Sequence, residues 1–453
     1  MVKQGTPTEL GTENIGKLLM QYAIPAIIAM TASSLYNMID SIFIGHGVGT
    51  LAISGLALTF PLMNLAAAFG SLVGAGAATL ISVRLGQKDY DTSQRILGNV
   101  VLLNLIIGIA FTVITLIFLD PILYFFGASE DTIGYARDYM KIILLGNVIT
   151  HLYLGLNSVL RSSGHPKKAM AATIATVLIN TALDPLFIYG FGWGIRGAAI
   201  ATILAQIIAL VWLIYLFTNK NELIHFHKGI FRLKKKIVFD SLAIGMSPFL
   251  MNLASTFVVI LINLGLKKHG GDIAIGAYGI VNRIVFLFLM IVMGINQGMQ
   301  PIAGYNFGAK LYPRVTKVLK LTIYFATIVT TVGFIIGEFL PEYAVALFTS
   351  DEELIRLASE GLRIVVIFFP IVGFQMVTSN FFQSIGMASK AIFLSLTRQI
   401  LFLIPCLIIL PRFFGSDGVW YSMPIADFVA CIVAAFMLIH QFKKFRTQEI
   451  ETI

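Results

Sequence analysis

Long apolar runs alternate with short polar, mostly basic punctuation along this chain. Runs long enough to cross about 30 Å of hydrocarbon as helix, roughly 20 residues each, fall near 17–45, 51–82, 96–119, 135–160, 168–190, 197–217, 237–266, 273–304, 315–338, 357–381, 390–411 and 418–441. They are continuous rather than alternating, which excludes the pattern of β-barrel strands. A helix also pairs its own backbone groups in lipid, whereas an open sheet edge leaves them bare. The twelve runs therefore predict an all-α integral membrane protein. Several exceed 25 residues, so tilt, bends or interfacial extensions are expected. The polar stretch Met1 to Gly16 precedes a run too long for the apolar region of a signal peptide, so no cleavable leader is expected.

Composition strengthens this reading. Of 453 residues, 57% are apolar and 12% charged, and 35 Phe stand against 23 Asp and Glu. That is too little polar surface to wrap a water-soluble particle. The two cysteines, Cys406 and Cys431, sit inside apolar runs and read as small core residues. The net charge of +9 has a topological pattern. With the N-terminus inside, the cytoplasmic segments take 23 of the 32 basic residues, among them Arg84, Lys88, Arg95, Lys167, Lys168, the run Lys234 to Lys236, Lys310, Arg314, Lys390, Arg398 and Lys443. The outer loops carry acids instead, Glu130 with Asp131 and the run Asp351 to Glu353. This distribution predicts both termini in the cytoplasm and gives no reason to expect a nucleic-acid partner.

The chain is written twice. An offset of 222 residues carries Gly86 and Lys88 onto Gly308 and Lys310, Gly164, Lys168 and Ala169 onto Gly386, Lys390 and Ala391, and Glu130 onto Glu352. With one residue of slack, Pro25 meets Pro248 and Asp40 meets Asn263. Each copy holds six spans, an even number, so the copies enter the membrane from the same side and form two parallel pseudo-symmetric six-helix bundles. The expected division is a first lobe over 1–217, a basic cytoplasmic linker over 218–236, a second lobe over 237–442 and a cytoplasmic tail over 443–453. Two like-oriented bundles around a central site suit transport by alternating access.

Ionisable groups inside a bilayer cost between about 2.5 and 17 kcal/mol, so each is a candidate for function. At 1.5 Å per residue, Asp40 in span 1, Asp184 in span 5 and Thr202 in span 6 share one depth in the outer leaflet. Asn180 stands one turn from Asp184, and Tyr36 and Asn37 one turn from Asp40. No basic residue is near in sequence to neutralise the acids. Two carboxylates together in a low-dielectric site cannot both ionise cheaply, so such a pair can load and unload a proton or hold a cation. The blander reading is that both acids brace kinked helices, since Asp184 precedes Pro185.

The second copy differs. Asn263 replaces the span 1 aspartate, and no acid stands where Asp184 would fall. Asp427 in span 12 and Arg283 in span 8 lie at similar depth and are expected to form a buried ion pair. Met246, Met251, Met290, Met293, Met299 and Met376 offer an adaptable apolar wall, with Gln297 and Gln300 as polar candidates for a cavity. The stretch Gly74-Ala75-Gly76 reads as a site of close helix packing. No metal-ligand spacing, nucleophile elbow or nucleotide loop is present, and His151, His225, His227 and His440 are expected near loops or span ends. No cofactor and no enzymatic activity are expected.

Several strings carry a family resemblance. They are Tyr36-Asn37-Met38-Ile39-Asp40, Leu160-Arg161-Ser162-Ser163-Gly164, Asn180 with Asp184-Pro185-Leu186-Phe187-Ile188, Gln297-Gly298-Met299-Gln300-Pro301 with Gly304-Tyr305-Asn306, and Arg398-Gln399. Through them the chain, from about Ile15 to Phe442, resembles the MATE family of multidrug and toxic compound extruders, in its bacterial DinF/MepA-like branch. The resemblance implies a two-lobed, twelve-helix antiporter of the bacterial cytoplasmic membrane, a monomer, that exports amphiphilic or cationic organic compounds in exchange for H+ or Na+. It places proton or cation coupling on Asp40, Asp184, Asn180 and Thr202, and a bend point at Pro25. A branch that relies on acids in spans 7, 8 and 10 is not matched, since those spans hold none here. A flippase for a lipid-linked saccharide or other amphiphile is the alternative, against which Arg283 is the only clearly mid-membrane base.

Overall fold

The structure is a computed structural model that describes residues 8–450, except the side chains of residues 37, 38, 45, 50, 272, 446 and 448–450. Among the described residues it is helical throughout, with no strand. Span 1 is Ile15–Gly47, span 2 Thr50–Gly86, span 3 Tyr90–Ile117 and span 6 Gly194–Phe217. Span 4 is a bent pair, Ile133–Leu145 and Asn147–Ser162. Span 5 runs Pro166–Pro185 and continues as a wider π-turn, Leu186–Gly190. Pro185 lacks the N–H that would continue the ladder, and the helix widens there rather than ends.

Span 7 is Lys235–Gly271 and span 8 is Ile273–Gly308, divided at Gly271 by its positive φ of 71°. Span 9 is Tyr312–Phe339, span 10 the bent pair Glu352–Val366 and Phe369–Ser384, span 11 Ala388–Phe414 and span 12 Ser416–Ile450. Ten of these helices are long and apolar enough to cross a membrane unaided, and the two bent pairs bring the count among the described residues to twelve.

The internal repeat recurs in the backbone. Among the described residues Lys88 and Lys310 are the non-glycine residues with positive φ, at 61° and 58°, and they are related by the offset of 222. Gly49 and Gly271 repeat the same relation, as do Gly164 and Gly386. The bends of spans 4 and 10 measure 53° and 54° and fall at Gly146 and Phe368, again equivalent positions.

The chain divides into two compact units, and the division does not fall in the linker. Ile28–Phe249 forms the body of the first unit, whereas Glu13–Ile27 joins the chain from Leu250 onward in the second. The first halves of spans 1 and 7 are thus exchanged. Within the first unit, span 7 approaches span 2 so closely that a Cβ on Gly76 would overlap the carbonyl of Ser241. Within the second, the equivalent Gly298 of span 8 would meet the backbone of Ala23 in span 1, with 2.6 Å to its Cα. Small residues allow such backbone contact between membrane helices.

Residues 218–234 are fastened to the first unit. Gln94 donates from Nε2 to the Leu223 carbonyl at 2.6 Å and accepts the His225 N–H at 3.3 Å. Asn99 donates to the Arg232 carbonyl and accepts the Lys234 N–H, both at 3.1 Å. Glu222 binds His165 at 2.9 Å and Lys168 at 3.0 Å, two residues at the start of span 5. The segment read from the sequence as a basic linker is therefore a docked strap.

Candidate functional site

Near the Gly47 end of span 1, Asp40 is 6% exposed, and Asp184 at the end of the regular part of span 5 is fully buried. Their carboxyl groups lie within hydrogen-bonding reach of each other. Asn180, one turn back along span 5, turns its amide so that the nitrogen donates to Asp184 Oδ2 at 2.9 Å while the oxygen accepts the Thr202 N–H at 3.1 Å. The Thr202 hydroxyl of span 6 lies 2.9 Å from the Tyr36 hydroxyl and donates to the Ala198 carbonyl at 3.1 Å. Spans 1, 5 and 6 thus bring Asp40, Asp184, Asn180, Thr202 and Tyr36 together. Asn37 shares the span 1 helix, but its side chain lies outside the described residues.

One residue of this site is not signalled by the sequence. Tyr139, in the first half of bent span 4, is 1% exposed and faces Asp40, Asp184 and Thr202. The bend at Gly146 brings it there. An apolar cluster that includes Ile44, Leu56, Ile133, Ala136, Ile188 and Ala198 packs around this end of the unit.

The chemistry of the pocket follows from its neighbours. Arg or Lys contacts to either carboxylate are absent among the described residues, and Asp40 Oδ1 is buried with no hydrogen-bond partner there. Two adjacent acids without a counter-cation are costly in a low dielectric unless a proton or a small cation sits between them. The donor set of two carboxylates, a carboxamide oxygen and a hydroxyl is hard oxygen, compatible with H+ or Na+ and poor for soft metals. No group of three or more His, Cys, Asp or Glu capable of holding a metal occurs among the described residues.

The second unit departs from expectation at one point. Asp427 pairs with Arg398 of span 11, Oδ1 to Nε at 2.5 Å, and not with Arg283. Arg283 is exposed on span 8. Arg398, counted among the cytoplasmic charges from its sequence position, instead lies nearly three turns into span 11. It misled because depth along a helix fixes level, not the face on which a side chain emerges. The neighbouring Gln399 donates to Ser255 Oγ at 3.3 Å.

The other candidates divide. Asn263 is part-buried with an unpaired Oδ1, Gln297 is part-buried and Gln300 is 8% exposed. Of the methionines, Met299 and Met376 are core residues at 0% and 7% exposure, and Met246 belongs to the first unit. The expected methionine wall is therefore only partly a surface. His151 is not near a span end: it is fully buried, with Nε2 2.9 Å from the Ala66 carbonyl.

A paired-acid pocket inside the first of two six-span repeats defines a membrane-embedded transporter with a two-fold internal plan. The MatE family model matches residues 25–186 and again 244–408, one match per repeat, and the chain belongs to that family. It is 30% identical over 425 residues, 94% of the chain and 93% of the relative, to the multidrug export protein MepA of Staphylococcus haemolyticus (strain JCSC1435). MepA of Staphylococcus aureus (strain MSSA476) is 28% identical over 424 residues, with the same coverage. Among solved structures, the outward-facing conformation of a multidrug resistance MATE family transporter of the MOP superfamily superposes with a TM-score of 0.92 at 24% identity, covering 98% of this chain and 99% of that one. A MATE structure in the bent conformation superposes at 0.93, with the same identity and coverage.

Proposed function

We propose that this protein is a secondary-active multidrug antiporter that exports amphiphilic, often cationic, organic compounds in exchange for H+ or Na+. The observation that carries the reading is the contact between Asp40 and Asp184, buried in an oxygen-rich pocket with Asn180, Thr202 and Tyr36 and without a basic partner. Membership of the family and similarity to multidrug export proteins support the drug side of the exchange.

The cycle follows from charge. With both acids ionised the pocket carries two negative charges; loading a proton or Na+ removes one of them and weakens the hold on a cationic drug. The loaded lobe then opens to the cytoplasm and gives up the ion. One charge moving inward gains about 2.3 kcal/mol per 100 mV, and each pH unit adds about 1.4 kcal/mol. For a neutral drug exchanged one for one, the two together exceed a hundredfold gradient, about 2.7 kcal/mol. A monovalent cationic drug carries its own charge out against the potential, so two entering ions per drug are needed to draw on both terms, and no nucleotide is required. The setting is the bacterial cytoplasmic membrane with both termini inside, and the working unit is a monomer.

Dye efflux from proteoliposomes, driven separately by a pH gradient and by a sodium gradient, tests this reading. Wild-type protein exports under one of them, and Asp40→Asn exports under neither. Normal gradient-driven export by Asp40→Asn removes the pair from the mechanism.

A further inference from the structure

Spans 4, 5 and 6 carry polar side chains well beyond the acid pair, toward the face where the strap docks. On span 5, Thr173, Thr176, Asn180 and Asp184 recur at intervals of three and four and share one helical face. Span 4 presents Thr150, Tyr153, Asn157 and Arg161 at the same spacing. The two faces are joined by contacts that leave the acid pair behind. Thr150 donates to Gln206 Oε1 at 2.5 Å, and Gln206 stands one turn from Thr202 on span 6. The Tyr153 hydroxyl donates to Thr173 Oγ1 at 3.3 Å. Asn157 donates to Thr173 Oγ1 at 3.5 Å and to the Ala169 carbonyl at 3.0 Å. Lys168 adjoins Ala169 and His165 lies one turn past it, both bound to Glu222 of the strap. From Asp184 to Lys168 the stripe spans about 24 Å of helix, most of a bilayer's hydrocarbon depth.

We propose that this stripe is the route by which a proton leaves the Asp40–Asp184 pair for the strap face, from Thr202 past Gln206 and Thr150 to Tyr153, Thr173 and Asn157. The proposal rests on the antiport reading and sharpens it, since a relay of hydroxyls and intervening water, held in line by the Gln206 and Asn157 amides, conducts H+ and not Na+. The proton leaves the carboxyl oxygen, each hydroxyl or water gives one proton as it takes another, and the last is released to water beside Glu222. No group on the route is left altered.

The second repeat offers the comparison that separates a route from packing. At the offset of 222, Ser379 and Ser395 occupy the places of Asn157 and Thr173, and their hydroxyl oxygens lie 3.0 Å apart. Val372 and Phe428 occupy the places of Thr150 and Gln206, so that stripe stops short. The hydroxyl contact near the strap face is thus shared by both repeats, whereas its continuation to the acid pair belongs to the first alone.

The test uses the full chain in proteoliposomes with a pH indicator inside and an ethidium-like dye as substrate. It compares dye efflux driven by a pH gradient with dye-for-dye exchange in the absence of any gradient. Thr173→Val and Gln206→Leu are expected to slow proton-driven efflux and dye-coupled proton flux about tenfold, a barrier increase of about 1.4 kcal/mol on one step. Exchange is expected to stay at the wild-type rate. Thr173→Ser restores efflux, and Ser395→Ala, which removes the equivalent hydroxyl from the second repeat, leaves it intact. Wild-type efflux in both Thr173→Val and Gln206→Leu overturns the route, as does an equal loss in Ser395→Ala. If Thr173→Val loses exchange as well, its fold is damaged and Gln206→Leu decides. Asp40→Asn in the same assay judges the antiport reading separately: a dead Asp40→Asn beside normal Thr173→Val and Gln206→Leu refutes only the route.

Discussion

Cutting one end of the Asp427–Arg398 pair tests whether it braces the second unit or takes part in transport. The Asp427 side chain is 9% exposed and that of Arg398 24%, and their atoms meet at 2.5 Å. Replacing Asp427 with Asn strands a guanidinium among spans 11 and 12. Breaking a buried pair from one side costs about 3–5 kcal/mol, while replacing both partners by apolar residues of similar volume is often neutral. Asp427→Asn is therefore expected to lower the detergent-solubilised protein's stability by that amount, and the double variant Arg398→Met with Asp427→Leu to regain most of it. The assay is equilibrium unfolding in a mixed-detergent titration, with dye efflux measured on the same preparations. A double variant that is stable yet exports nothing refutes bracing and places the pair in the transport cycle. An Asp427→Asn protein as stable as wild type refutes the energetic argument itself.

Asp184→Asn is expected to abolish gradient-driven dye efflux while leaving protein yield and helicity unchanged, as measured by transport and circular dichroism. Thr202→Val leaves the Tyr36 hydroxyl without its 2.9 Å partner and is expected to cost about 1–3 kcal/mol in unfolding experiments, with slowed rather than abolished efflux. Gly76→Leu drives a side chain into the backbone of span 7 and is expected to yield little folded protein by size-exclusion chromatography, whereas Gly134→Leu, at an open position, is tolerated. The strap should loosen on acidification. Burial holds His165 below its ordinary 6.5 despite Glu222, so the freed imidazole binds a proton first and docking weakens as pH falls through that value. Burial alone would raise Glu222, but Lys168 and His165 hold it below 4.5, so its share of the docking is present above that pH and is lost on further acidification. Each group can remove at most about 1.4 kcal/mol of docking free energy for every pH step of one through its titration. Amide exchange across residues 219–234, corrected for intrinsic rates, should therefore rise between about pH 7 and pH 4, and His165→Asn should flatten the upper part of that rise.

Much of this site was legible because membrane helices are nearly straight rods of known rise. Counting residues put Asp40, Asp184 and Thr202 at one depth, and the repeat explained why a second bundle had to exist. What could not be read is rotation about each rod. Arg283 was matched to Asp427 by depth while Arg398 was counted with the cytoplasmic charges, and packing pairs Asp427 with Arg398. Tyr139 was hidden because an aromatic residue near a span end looks like an interfacial anchor, and nothing local announces the bend at Gly146 that turns it inward. Gln206 offered a usable signal, an uncharged amide in mid-span, which costs too much to be placed idly. The docking of residues 218–234 was invisible for a simpler reason. Its anchors, Gln94 and Asn99, lie more than a hundred residues away and are ordinary polar residues at the start of an apolar helix.

The traded half-helices bear on how such a protein is made. Neither half of the coding sequence specifies a finished bundle: the first unit lacks its span 7 segment, Lys235 to Phe249, until the ribosome has passed the strap, and the second takes Glu13 to Ile27 from the earliest part of the chain. A gene split within the strap would yield two pieces that each carry the other's missing stave. Co-expressed, they should restore activity; expressed singly, each should be degraded. Duplication of a six-helix ancestor would then have produced interdependence at once, since two copies that lend each other half a helix can no longer part.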